Sequence, residues 1–176
     1  MVKSGLAVWA ALLMSASHFV GILPEVTARS PQPDMQHIRT MYYEALHNRQ
    51  KSEYFVQYMD SITLGKNTVL LGYKAMAYCM QAKHTDNPFT KYSLFSKGKN
   101  MLEYAVSRTS DNIELRFLRF CIQTNIPFFL GYSQHIDGDK SMILAQWRKL
   151  TDNDLKQRIK DFMLLHCTLE EQAAFQ

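Results

Sequence analysis

The stretch DNIELRFLRFCIQTNIPFFLGY, from Asp111 to Tyr132, is the most apolar segment outside the N-terminus, and its reading decides the fold. Asp111 is placed to cap a helix by accepting from the backbone N–H near Glu114, itself at the acid position of a capping box. Ile113, Phe117, Phe120, Cys121 and Thr124 then recur at helical spacing, while Leu115, Leu118 and Ile122 form a second stripe. A helix apolar over most of its circumference is covered by neighbours on several sides. Arg116, Arg119 and Gln123 share the one remaining face. The helix is therefore the expected core element, with a single polar seam.

Two uses are open to that seam. The arginines can lay their stems over apolar surface and pair with acids such as Glu103 or Glu114, which is the commoner use beside a core. Alternatively, they line a groove and hold a carboxylate or phosphate through forked hydrogen bonds. The helix must stop before Pro127, which biases Ile126 away from helix, and Gly131 permits a positive φ. Phe128, Phe129 and Tyr132 then plug the core or present an aromatic patch. We expect the plug, because large aromatics dominate core energetics.

Working outward, 176 residues make one domain by length, and a composition 47% hydrophobic and 20% charged is that of a globular chain rather than a disordered one. A net charge of +4, with no Lys/Arg block or basic-aromatic motif, argues against a nucleic-acid partner. Lys3 and the apolar run Gly5 to Met14 have the form of a signal peptide, residues 1–28, with cleavage expected after Ala28 and Ser15-Ala16-Ser17 as an earlier option. An uncleaved membrane anchor is the alternative, although the strongly apolar part falls short of the ~20 residues that span a bilayer. No Cys follows the run, so a lipid anchor is not expected. The mature protein is expected to be exported, periplasmic or secreted, without a membrane span. Residues 29–33, with two prolines, read as an extended leader.

Residues 34–176 read as a single all-helical domain. Asp34 caps a first helix with Ile38, Met41, Tyr42, Ala45 and Leu46 on one face. A break near Asn48 leads to a second, carrying Phe55, Tyr58, Met59 and Ile62 and ended by Gly65. Asn67 opens a third (Leu70, Tyr73, Met76, Ala77, Met80), and Asn87-Pro88 caps a fourth (Leu94, Gly98, Met101, Leu102, Ala105) in which Gly98 would admit a close neighbour. Beyond the central helix, a sixth begins near Asp139 with Ile143, Trp147 and Leu150. Thr151-x-x-Asp154 reads as a capping box for a seventh (Leu155, Ile159, Phe162, Met163), and Thr168-x-x-Glu171 for a short eighth. No stretch sustains strand alternation. The class is all-α: seven to eight amphipathic helices in antiparallel pairs around one core, as a repeat-like array or bundle.

Leu102 to Leu115, LEYAVSRTSDNIEL, resembles the junction between the second helix of one tetratricopeptide repeat and the first of the next, and Leu71-Gly72 is similar to that family's first-helix signature. Ser110 stands where the repeat usually has proline, and no copy recurs at a 34-residue period, so the likeness covers one and a half degenerate repeats. Glu114 to Arg119 with Asn125-x-Pro127-x-Phe129-Leu-Gly-Tyr132 also resembles a family of small, uncharacterised exported proteins of Bacteroidetes-type bacteria, mainly over residues 98–150. That resemblance implies a helical exported protein and transfers no catalytic residue.

Catalytic and metal patterns are thin. Gly131-Tyr-Ser133-Gln-His135 lacks the second glycine of a nucleophile elbow and follows no strand. The histidines at 37, 47, 84, 135 and 166 form no HExxH motif and no i, i+4 pair, so no metal site is expected. Asp137-Gly-Asp139 is too short for a calcium loop and reads as a turn capping the sixth helix. Cys79, Cys121 and Cys167 show no CxxC spacing, and no structural disulfide is expected. With no cofactor motif either, the leading expectation is an exported helical binding module that holds a peptide or another envelope protein in an inter-helix groove. Its tentative contacts are Arg116, Arg119, Gln123, Phe128, Phe129 and Tyr132. An enzyme using Glu114, Arg116, Arg119 or His135 in a polar pocket is the alternative, and an envelope protein without a discrete ligand is a third reading.

Overall fold

The computed structural model describes residues 33–175. The expected signal peptide, its cleavage after Ala28 and all of the leader but Pro33 lie outside the described residues. Eight α-helices follow in order: α1 (Met35–Ala45), α2 (Arg49–Ser61), α3 (Thr68–His84), α4 (Pro88–Arg108), α5 (Ile113–Asn125), α6 (Ile136–Gln146), α7 (Asn153–His166) and α8 (Leu169–Gln172). Single 3-10 turns lie at Phe128–Leu130, Trp147–Lys149 and Ala173–Phe175, and the described residues contain no strand. The all-α expectation holds. No helix among the described residues is long and apolar enough to cross a membrane.

Short polar side chains start the helices by accepting from backbone N–H groups that have no partner within the helix. Asp34, Asn48, Asn67 and Asn87 cap α1 to α4, and Thr168 and Glu171 form the reciprocal box of α8. Three expectations shift. Asn112, not Asp111, caps α5, accepting from the Leu115 N–H at 3.0 Å and freeing Glu114 to turn inward. Asp152 rather than Thr151 caps α7. The sixth helix starts at Ile136, which places Asp139 inside its first turn instead of at its cap.

Three successive pairs, α2 with α3, α3 with α4 and α5 with α6, run antiparallel, as their contacts show. Arg49 at the start of α2 meets Asp86, just past α3, at 2.7 Å. The Thr109 hydroxyl, after α4, donates to Thr68 at the start of α3 at 2.7 Å. Arg119 in the middle of α5 reaches Asp139 of α6 at 2.7 Å, while Gln123 further along accepts from the His135 N–H.

Instead of one core, the buried residues form two clusters, and α5 divides them. Its Leu115, Leu118 and Ile122 complete the cluster built by α1 to α4, whereas Ile113, Phe117, Phe120 and Cys121 belong with Ile143, Trp147, Leu155, Ile159, Met163 and Phe175. The two stripes read from the sequence are thus real and face different partners. Each fully buried Leu or Phe contributes about 1.5–3 kcal/mol, so both faces of α5 are anchored.

α3 and α4 approach closely at Gly98, where a Cβ would lie 2.5 Å from Cys79 Sγ and 2.7 Å from the Ala75 carbonyl oxygen. The carbonyl belongs to helical backbone and cannot yield. Gly138 in α6 has nothing within 4 Å of a built Cβ. Gly98→Ala is therefore expected to cost about 1–3 kcal/mol by overpacking. Gly138→Ala should stabilise by up to about 1 kcal/mol through helix propensity. Thermal melts of the two variants should move in opposite directions.

Candidate functional site

The arginine seam is where the sequence placed a groove, and the structure closes it with acids. Asp139 is fully buried at 0% exposure and receives Arg119 Nε and Nη2 at 2.7 and 2.8 Å, with Arg116 Nη1 adding a third bond at 2.7 Å. Arg119, 4% exposed, also donates to Glu103 Oε2 at 3.0 Å, and Glu103 accepts from the Tyr132 hydroxyl. Arg116 spends its Nε on the Ser110 carbonyl at 2.7 Å. Burial opposes the charge on Arg119, but the bonds and attraction of Asp139, with Glu103, outweigh it and raise its pKa. The pairing expectation held for Glu103 and failed for Glu114, since Asp139 is the principal partner.

Glu114 instead serves a second buried network. Arg39 of α1 clasps it with Nε at 2.7 Å and Nη2 at 3.0 Å, and the Tyr73 hydroxyl donates to it at 2.8 Å. Arg39 Nη1 goes on to Asp152 and Asp154 at 2.9 and 3.0 Å, tying α1 and α5 to the start of α7. Burial works against the Arg39 charge too, yet Glu114 more than offsets it and the pKa is raised. The polar groups put forward for an enzyme do not converge: Glu114 and the Arg116/Arg119 pair sit in different internal networks, and His135 is exposed.

The aromatic turn divides as well. Pro127 leads into the 3-10 turn, and Gly131 ends it at φ +60°. This single turn directs Tyr132 inward, 3% exposed, but leaves Phe128 and Phe129 at 91% and 83% exposure. Only Tyr132 is the plug expected of all three. Gln123 is buried. Its Oε1 accepts from the His135 N–H at 3.2 Å, while its Nε2 has no partner among the described residues; the residue also lines a pocket of about 340 Å³ beside Phe128 and His166.

The larger concavity lies on the opposite side of the same turn. It has a volume of about 610 Å³ and is walled by Tyr42, Tyr43 and Leu46 from α1 and its end, Cys79, Met80 and Ala82 from α3, Phe95 from α4 and Cys121 and Ile122 from α5. Ile126, Phe129 and Leu130 form its lip, and Phe162 of α7 closes the far side. Exposed Tyr92 and the cations Lys83 and Lys91 stand at the α3–α4 turn, and His47, from the link between α1 and α2, also lines the cleft. The size falls in the usual range for small-molecule sites, and the lining is mainly carbon with a few polar groups. Burial pushes the Cys79 thiol up to about 12 and Cys121 well above its usual value, so both stay protonated and unpaired in the wall.

Of the six contacts expected from the sequence, Phe129 alone lines this groove. Among its other walls, Tyr42, Leu46, Met80, Cys121, Ile122 and Phe162 are helix-stripe residues, the pattern of a core. The one available signal was the aromatic content of Pro88-Phe-Thr-Lys-Tyr-Ser-Leu-Phe95, where Phe89 and Tyr92 fall off the apolar stripe of α4.

Asp139→Ala strands a buried guanidinium and should cost about 3–5 kcal/mol in urea unfolding. His166 is the residue of interest for pH, stacked on Phe162 at 4.3 Å and held below its ordinary pKa of 6.5 by burial and then by Lys140. A depressed folded-state pKa means the unfolded chain takes up the proton first. Its contribution is therefore present above about pH 6.5 and lost as pH falls through and below that value. His166→Phe, which keeps the stack, should flatten the decline in melting temperature between pH 7 and pH 5 relative to wild type. No protein-family model matches the chain, and no curated protein or solved structure matches it either.

Proposed function

We propose that this protein is an exported helical binding module of the bacterial cell envelope, which holds the apolar part of a partner in the groove between α1, α3, α4 and α5. One observation carries the proposal: a concavity of about 610 Å³ with a largely apolar lining, open beside a turn that holds Phe129 in solvent. Exposed aromatic surface next to an unfilled apolar cleft is a costly arrangement for a protein with nothing to bind. The signal-peptide form of residues 1–28 supports export. The close α3–α4 packing at Gly98, with Gly72 against Leu115 and Leu118 of α5, supports the repeat-like helix pairing.

The arginine seam lies outside this binding surface, because its arginines are engaged by Asp139, Glu103 and the Ser110 carbonyl. Recognition by this reading is apolar and shape-based, whether the group that enters belongs to a peptide, a protein or a smaller amphiphile. Arg116 and Arg119 hold the scaffold that shapes the cleft.

A neutral solvatochromic dye such as Nile red tests the groove without favouring either sign of charge. Wild type should bind about one equivalent with a blue-shifted emission. Ile126→Trp, which places an indole at the half-buried lip, should lower the affinity tenfold or more while leaving the helical circular dichroism and its melt intact. Equal dye binding by a folded Ile126→Trp variant would falsify the assignment.

A further inference from the structure

The charged side chains that line the groove have one sign. Its lining includes Lys83 and Lys91, and no Asp or Glu. Lys83 sits in the last turn of α3 and Lys91 in the first turn of α4, with only residues 85–87 between the two helices, so both cations stand at one end of the cleft. Lys83 donates to the Leu46 carbonyl at 2.8 Å, which leaves two of its three N–H donors. Lys91 has no ion pair among the described residues. Asp86, the acid whose pKa responds to Lys91, is itself held by Arg49 at 2.7 Å.

The rest of the wall adds no charge. The thiols of Cys79 and Cys121 are protonated, and burial raises the phenols of Tyr42 and Tyr43 above their ordinary value, so they too remain neutral. The occupant therefore has an apolar body and a negative end.

Its width is limited as well. A helix about 10 Å across would fill 610 Å³ within roughly five residues. An extended peptide would bury amides against a wall of Leu46, Met80, Phe95, Ile122, Leu130 and Phe162, and each amide left unpaired costs about 1–3 kcal/mol. A hydrocarbon chain carries no such groups.

We infer that the groove binds a free single-chain amphiphile with a carboxylate head, its chain along the apolar wall and its head between Lys83 and Lys91. This rests on the groove being the binding site proposed above. Exposed Tyr92 and Phe129 at the rim suit the junction between chain and head, where aromatic rings bridge apolar and wet surroundings.

The test compares decanoate, decanol and decylammonium, each below its aggregation limit, by calorimetric titration into protein purified after expression of the full chain. Decanoate should bind about three- to tenfold more tightly than decanol, the span given by one or two partly exposed charge contacts, and decylammonium most weakly. Lys91→Gln, at a side chain with no ion pair to lose, should bring decanoate close to decanol and leave decanol unchanged. Lys91→Glu should lower decanoate further and raise decylammonium.

Equal binding of all three, or a decanoate preference that survives both Lys91 variants, overturns the charge assignment while the apolar groove stands. If Nile red binds at the groove but none of the three amphiphiles does, the inference fails in favour of a partner's apolar side chains. If neither the dye nor the amphiphiles bind, the groove reading fails with it.

Discussion

Two buried carboxylates determine how α5 lies among its neighbours. Glu114 and Asp139 are each nearly or fully removed from solvent, and each is met by a forked guanidinium, Arg39 for the first and Arg119 for the second. A charge in such a place is tolerated only when its partner is present with good geometry. Arg39 fixes α5 against α1 and α7, and Asp139 fixes it against α6. The apolar faces of α5 supply most of the burial energy, but hydrophobic contact alone is non-directional. The ion pairs select one rotation of the helix, the one that sends Leu115, Leu118 and Ile122 to one cluster and Phe117 and Phe120 to the other.

Much of this was legible from the chain. The stripes of α5 followed from a 3.6-residue period, and Asn67, Asn87 and Thr168 announced helix starts because a short polar acceptor preceded an apolar run. At Asp111-Asn112 two competent caps stand side by side, and local chemistry does not choose between them. The burial of Glu114 settles the choice, and that depends on Arg39, 75 residues away. Asp139 was misread for a similar reason. In Asp-Gly-Asp it resembles a turn, and only the folding of α6 back along α5 brings it to Arg119.

The site was less legible than the fold. A groove is volume left unfilled where helix ends diverge, and its walls have the same apolar periodicity as a core. Nothing in the spacing of Tyr42, Met80 or Ile122 separates a residue that meets a neighbour from one that faces a cleft. The turn after α5 was ambiguous in another way, because Phe128, Phe129 and Tyr132 are chemically alike. A single 3-10 turn between Pro127 and Gly131 decides which ring goes inward.

Cys79 and Cys121 carry a consequence of their own. Both lie in the wall of the cleft, and the desolvation that makes the cleft apolar also raises their pKa values. Because oxidants and alkylating agents react with the thiolate, the same burial that keeps the wall apolar also shields the sulfur from modification. The coupling works in reverse: one oxygen added to either sulfur would set a polar group in the wall. The wall would then lose its apolar surface in a single chemical event.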